Sequence, residues 1–504
     1  MNAQIIQGNF GGYERDLAAW IRRLSYLAFG LMLAYVFAIL LINYTYGLTE
    51  KLKLLGLLGL CWLGWKYSGE KLRQLLGRVR ISPIIILALL IRLAWVLSSG
   101  VVQTSDFAGY DEDAWKIANG GKWFGVFRTS GAPIFYALHY WIFGHYPLLP
   151  QISLALLSTL QVYLVYDLTN RVLDDKNAGK IAALALAFWP EHILYNNLLC
   201  TEVPFATLIL WSVWLLWSDA RWYAGRIFLA GVCLGMATWV RPNAPIFLAA
   251  VLAFVMLKKV GATPLWTRTR LALGGLAGFA LLTAPIVYLN YRDAGIISAI
   301  PSQQSGYNLM FGTSVAERGR WNEADCEILK AELSRRERPP GMNHFVFTNQ
   351  VAREIGLNRL KTQPLSILYT AVRYKIPELW GLPAGLCWSL ETSRLKANYY
   401  TMCYLAVFYH GVMVALCAWI VLRHGRLFAP LDQRWVYILA VLLATMSHLI
   451  LEVQGRYHHG YLPILAICIG GYACSLSTRE TSNHKIHTTL ELREAPPDQR
   501  QQAA

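Results

Sequence analysis

The chain is poor in charge and poor in organised cysteine. Only 15% of its 504 residues are Asp, Glu, Lys or Arg. A soluble domain of this length rarely manages with so little. Its nine cysteines form no CxxC pair and mostly lie in apolar runs. That excludes a zinc ribbon and a disulfide framework, and leaves cysteine as a small hydrophobe. No period of 20–50 residues recurs, so the chain is not a solenoid. Nor does its N-terminal stretch pair a short apolar core with a cleavage site, so no cleaved signal peptide is expected.

What is abundant is apolar. Hydrophobic residues make up 55% of the chain, with 19 Trp and 27 Tyr suited to interfacial belts. Twelve apolar runs approach the ~20 residues a bilayer crossing needs. They cover 24–46, 52–65, 83–98, 150–168, 180–199, 203–218, 226–240, 243–257, 271–291, 400–422, 435–453 and 459–476. An all-α polytopic membrane protein with about 12 transmembrane helices is expected. The stretch 133–149 is shorter and interrupted, as a re-entrant or interfacial helix would be.

The net charge of +16 is topological. With a cytoplasmic N-terminus, the cytoplasmic segments carry 24 Lys and Arg and the short outer ones 7. Basic loops stay inside. This distribution accounts for the basicity without nucleic acid. Two larger outer segments follow, 99–149 and 292–399. The second contains two amphipathic helical patterns, near 323–338 and 348–360, and an apolar part, 365–390, broken by Pro377 and Pro383. The organisation expected is an N-terminal helical hairpin (1–82), a membrane core with its first outer loop (83–291), an outer helical region (292–399), C-terminal membrane helices (400–476) and a polar disordered tail (477–504).

The unusual polar residues gather on the outer side. Asp106, Asp111, Glu112 and Asp113 fall within eight positions at one boundary. They read as a loop, either solvated or catalytic. Glu202 lies at a short outer turn, where capping the following helix is the plainer reading. Glu191 and His192 follow Trp189-Pro190. Arg241 and Arg92 have snorkelling as their bland alternative. Arg456 lies at the last outer turn beside Glu452, His458 and His459. Metal binding by the two histidines is disfavoured, because the sequence places no third ligand near them. Carboxylates and arginines converging on one membrane face suit a specific chemistry. A carboxylate takes the proton of an acceptor hydroxyl, and arginines hold a departing phosphate.

In order and topology these residues resemble the membrane-embedded glycosyltransferases of the GT-C class, in particular the bacterial family 39 group of protein mannosyltransferase and aminoarabinose transferase-like enzymes. The first outer motif is Asp106, Tyr110 and Ala114, continuing to Ile117 and Gly121. Then come Pro190, Tyr195 and Glu202, the Gly235 to Pro242 stretch with Arg241, the Gly306-Tyr307-Asn308-Leu309 segment, and Arg456-Tyr457 with Pro463. One departure stands out: many members have Asp-Glu where this chain has Asp106-Phe107. Either the second acid is absent or Asp111 or Glu112 replaces it.

The resemblance implies an integral membrane glycosyltransferase of the bacterial inner membrane, with its active site on the extracytoplasmic face. It implies transfer of a sugar from a polyprenyl-phosphate donor to an acceptor lipid, glycan or protein, with inversion. Asp106 is then the base and Glu202 a second carboxylate. Arg241 and Arg456 are phosphate partners, and Tyr110, Tyr195, Tyr457 and Asn308 lie along the substrates. No cofactor is demanded, although Asp106, Asp111 and Asp113 could offer hard oxygens to a divalent cation. A lipid-linked-substrate transporter or a polysaccharide polymerase or ligase is the alternative. The missing internal repeat and the placement of charge at one face count against transport.

Overall fold

The computed structural model describes residues 2–43, 56, 74–122, 124–125, 127–216, 223–257, 263–381, 385–424 and 434–471. Apart from Gly56, the expected crossing at 52–65 lies outside the described residues, as does the C-terminal tail. Among the described residues the fold is helical with no strand. In chain order the helices are α1 (Asn2–Asn43), α2 (Ile81–Ser99), α3 (Ser105–Ala118), α4 (Gly131–Phe143), α5 (Leu148–Leu173), α6 (Lys176–Ala187) and α7 (Pro190–Leu194). There follow α8 (Glu202–Leu215), α9 (Tyr223–Val240), α10 (Ala244–Leu257), α11 (Leu265–Ala294), α12 (Ser305–Gly312), α13 (Glu323–Ser334) and α14 (His344–Thr362). The last are α15 (Pro364–Thr370), α16 (Ile376–Gly381), α17 (Gly385–Glu391), α18 (Tyr399–His424), α19 (Arg434–Ser447) and α20 (His459–Gly471).

Among the described residues, six helices are long and apolar enough to cross a bilayer: the Trp20–Leu40 part of α1, then α2, α5, α9, α11 and the Lys396–Arg423 segment containing α18. Four shorter apolar helices, α8, α10, Val436–Ser447 and α20, match four more of the expected runs. The run at 180–199 is not one crossing. Pro190 has no N–H to continue α6, so the helix ends at Ala187 and restarts as α7. The chain is a multi-pass membrane protein.

Backbone contact fixes the α9–α11 pair. A Cβ at Gly231 would lie 2.0 Å from the Gly275 carbonyl oxygen, and one at Gly278 would lie 2.1 Å from that of Phe228. Side-chain-free surfaces let two helices approach without a hydrophobic driving force, as lipid requires. This packing sets where α9 ends, and Arg241 follows directly.

The acidic stretch 104–121 is a helix, α3, and not a loop. Its like charges repel, but each acid finds a separate partner. Asp106 sits in the first turn and meets Arg456. Asp111 meets Tyr140 and His145, Glu112 meets Lys116, and Asp113 meets Arg128. Outside the membrane helices, α12, α13 and α14 share a small core of Met310, Phe311, Leu329, Val351 and Ala352. The Arg359–Asp325 pair closes it at 2.6 Å.

Candidate active site

Four charged side chains, separated by up to 350 positions, form one chain of alternating sign. Asp106 accepts from Arg456 through a short contact between Oδ2 and Nη2. Nε of Arg456 stands 3.9 Å from Glu202 Oε1. That same oxygen lies 2.9 Å from Nη1 of Arg241. Local structure explains each placement. Asp106 favours the positive end of α3, and Glu202 begins α8, so both carboxylates face helix N-termini. Arg241 leaves the end of α9, and Arg456 comes from the turn between α19 and α20. Glu202 makes no side-chain cap of α8; it sits in the first turn, where it pairs with Arg241, so Arg241 is held by a carboxylate instead of snorkelling.

Burial is uneven along this chain. Glu202 is 2% exposed and Arg456 9%, whereas Asp106 is 40% exposed. The site is sealed at the bottom and open at the acid. Aromatic rings bracket the guanidinium groups. Arg456 lies over Trp388 at 5.3 Å and Phe107 at 5.6 Å, and Arg241 over Tyr457 at 5.1 Å. Burial lowers the Arg456 pKa, but Glu202, Tyr457 and Asp106 more than offset this and hold it well above its ordinary value. Burial and the Asp106 charge push the Tyr110 hydroxyl up to about 12, so it remains a proton donor at neutral pH. Despite its charge, Arg456 Nε has no hydrogen-bond partner. A buried guanidinium with a spare donor suits an incoming anion.

The other sequence-selected residues divide. Tyr110 and Tyr457 border the charge chain. The Tyr457 hydroxyl donates to Glu452 Oε2 at 3.4 Å. Tyr195 is fully buried beneath it, with its hydroxyl unpartnered and its ring 4.1 Å from that of His459. Asn308 contributes its backbone carbonyl, which accepts the Glu452 N–H at 2.7 Å. Asp111 and Glu112 are on a different face of α3. They line an open groove of about 400 Å³ with Val101, Ala108, Trp115 and His145. The first-loop acids thus do not converge on one cation: Asp106, Asp111 and Asp113 each face a separate partner.

Arg92 does not snorkel. It is fully buried in α2 and bonds Ser158, His192 and the carbonyls of Ala88, Leu186 and Ala187. The histidine expectation also changes. His458 does have further ligating groups beside it: Glu191 and His410 lie within its reach. His410 occupies an apolar membrane helix, where one polar residue gives no sequence signal. Lys375 was missed too. It is 1% exposed and donates to the carbonyls of Gly312 at 2.8 Å and Leu449 at 3.1 Å. Burial lowers its pKa to about 7, with Glu452 acting in the other direction.

Residues 131–289 match the family model described as dolichyl-phosphate-mannose-protein mannosyltransferase. No curated protein matches the chain. Among solved structures it is similar to the oligosaccharyltransferase of Archaeoglobus fulgidus in complex with Zn and sulfate. That likeness has 16% identity and a TM-score of 0.46, covering 80% of this chain and 49% of the other. It is also similar to ArnT from Cupriavidus metallidurans bound to undecaprenyl phosphate. There the identity is 15% and the TM-score 0.38, covering 83% and 81% of the two chains. The chain spans about half the length of the archaeal chain it matches. It resembles the GT-C class of membrane glycosyltransferases.

Proposed function

We propose that this chain is an integral membrane glycosyltransferase. It moves a sugar from a polyprenyl-phosphate donor to an acceptor lipid, glycan or protein by a single inverting displacement. The reaction takes place on the extracytoplasmic face of the bacterial inner membrane. The observation that carries this reading is the joining of Asp106, Arg456, Glu202 and Arg241 into one half-open charge chain.

The exposed Asp106 carboxylate takes the acceptor hydroxyl proton as the acceptor oxygen attacks the anomeric carbon. The bond from that carbon to the phosphate oxygen breaks, and the lipid phosphate leaves with the electron pair. Arg456 and Arg241 stabilise its growing charge. Glu202, shared between both arginines, aims them without titrating in the reaction. Asp106 and Arg456 are paired in the structure, so an arriving donor phosphate competes for the guanidinium and frees the carboxylate. The hydrocarbon tail lies along the membrane helices.

The test is turnover of a radiolabelled polyprenyl-phosphate sugar by purified protein in proteoliposomes, with envelope lipids and glycans as acceptors. Release of lipid phosphate together with a product of inverted anomeric configuration is expected. Retention of configuration, or movement of intact donor across the bilayer without cleavage, would overturn the reading.

A further inference from the structure

Beneath the charge chain, three other side chains turn toward one another. Glu191 comes from α7, His410 from α18 and His458 from the turn before α20. Their ligand atoms all lie within 4.8 Å of one another. None of the three is more than 1% exposed. His458 Nε2 is 2.8 Å from Glu191 Oε2, and His410 Nδ1 is 4.0 Å from the same oxygen.

The outer nitrogens settle where the hydrogens are. His458 Nδ1 is 2.6 Å from the Leu379 carbonyl, and His410 Nε2 is 2.7 Å from that of Trp380. A carbonyl only accepts, so each ring donates its N–H outward. In neutral rings the lone pairs then lie on His458 Nε2 and His410 Nδ1, both directed inward. With no proton shared between His458 and Glu191, two lone pairs and a carboxylate oxygen face one another. Such an arrangement repels itself unless a cation lies in its midst. His410 Nδ1 and Glu191 Oε1 are also without hydrogen-bond partners. Rings held from outside by backbone carbonyls, with the inner nitrogen free, are how ligating histidines are oriented. Here two adjacent residues, Leu379 and Trp380, orient both rings.

We propose that Glu191, His410 and His458 bind a buried divalent transition metal of the zinc class. Two imidazoles and one carboxylate suit such an ion, whereas calcium and magnesium favour all-oxygen shells. Ligand atoms around tetrahedral zinc stand roughly 3.3–3.4 Å apart. Binding therefore opens the His458–Glu191 contact slightly and draws His410 inward. His459 lies on the far side, with Nδ1 3.9 Å from Glu191 Oε1 and neither ring nitrogen hydrogen-bonded. It is the nearest further imidazole. The ion ties three distant segments together, and one of them carries Arg456 two residues before His458. Its role is to brace that turn, and it takes no part in the sugar-transfer step.

The experiment is elemental analysis of the full chain, purified in detergent, exposed to zinc and then desalted. About one zinc per chain is expected. X-ray absorption should show an N/O shell containing two imidazoles, and a strong chelator should lower the melting temperature. Retention should fall at least about tenfold in His410→Gln and in Glu191→Gln. It should stay unchanged in Asp106→Asn, which keeps this cluster apart from the charge chain. Wild-type protein that retains no zinc and melts identically with and without chelator would overturn the proposal and leave a shared proton in the cluster. So would zinc retention unaffected by both substitutions. The wild-type arm decides the matter even if a variant fails to fold, and it requires no turnover.

Discussion

Arg92 and Arg456 are the same side chain in opposite circumstances. Arg92 has five N–H groups and five acceptors around it, none of them a carboxylate. Two are the Leu186 and Ala187 carbonyls at the end of α6, of which Leu186 also accepts the Trp189 N–H at 3.3 Å. One is His192 Nδ1, whose Nε2 in turn faces Gln161 Oε1 at 3.0 Å. Arg456 instead faces two carboxylates, keeps Nε unbonded and pairs with an acid that reaches solvent. A guanidinium with every donor satisfied holds a fold together. One with a spare donor and an exposed partner is free to bind something else.

Substitutions can break this contrast. The largest effect is expected for Asp106→Asn, which removes the proton acceptor and should lower kcat about 10²–10⁴-fold with little change in melting temperature. Steady-state transfer assays in proteoliposomes measure it. Arg456→Lys keeps the charge but loses the fork geometry. It should lower kcat about 10²–10³-fold and raise the donor KM. Arg92→Met should reverse the pattern. It orphans buried acceptors and should remove about 1–3 kcal/mol of stability, read from unfolding in detergent, while the surviving folded protein keeps its donor KM.

The smallest expected effect sharpens the contrast at a third buried cation. Lys375 lies outside the six crossing segments, and its pKa falls from 10.5 to about 7 on folding. Between those values the unfolded chain holds more protons, so stability rises with pH across that window. Below about 7 the ammonium is charged and buried, and its contribution is least favourable. Lys375→Met should flatten the slope between pH 7 and 10, measured by denaturant unfolding.

Much of the architecture was legible because lipid imposes simple rules. Apolar length gave six long crossing helices and four shorter apolar ones, though not the break in the run at 180–199, and lysine and arginine bias suggested a common side for residues 106, 202, 241 and 456. The structure then brings those four together. Three of the features that could not be read show why. The α3 helix looked like an acidic loop because Arg456 and Arg128, which offset its charges, and Tyr140 and His145, which hydrogen-bond Asp111, lie elsewhere in the chain. Arg92 looked like a snorkelling side chain because its acceptors, on α2, α5, α6 and α7, come together only in the fold. His410 was invisible because a single histidine in an apolar run has no pattern, and only packing against Glu191 and His458 gives it meaning.

The most direct test is binding of polyprenyl phosphate, the leaving group itself, to Arg456→Ala and Arg92→Met side by side in nanodiscs. Losing a charged hydrogen-bond donor at Arg456 should weaken binding about 10–100-fold, while folded Arg92→Met should bind like the wild type. Equal affinity in Arg456→Ala and wild-type protein would contradict the account, because the leaving phosphate would then have no tie to the half-open charge chain.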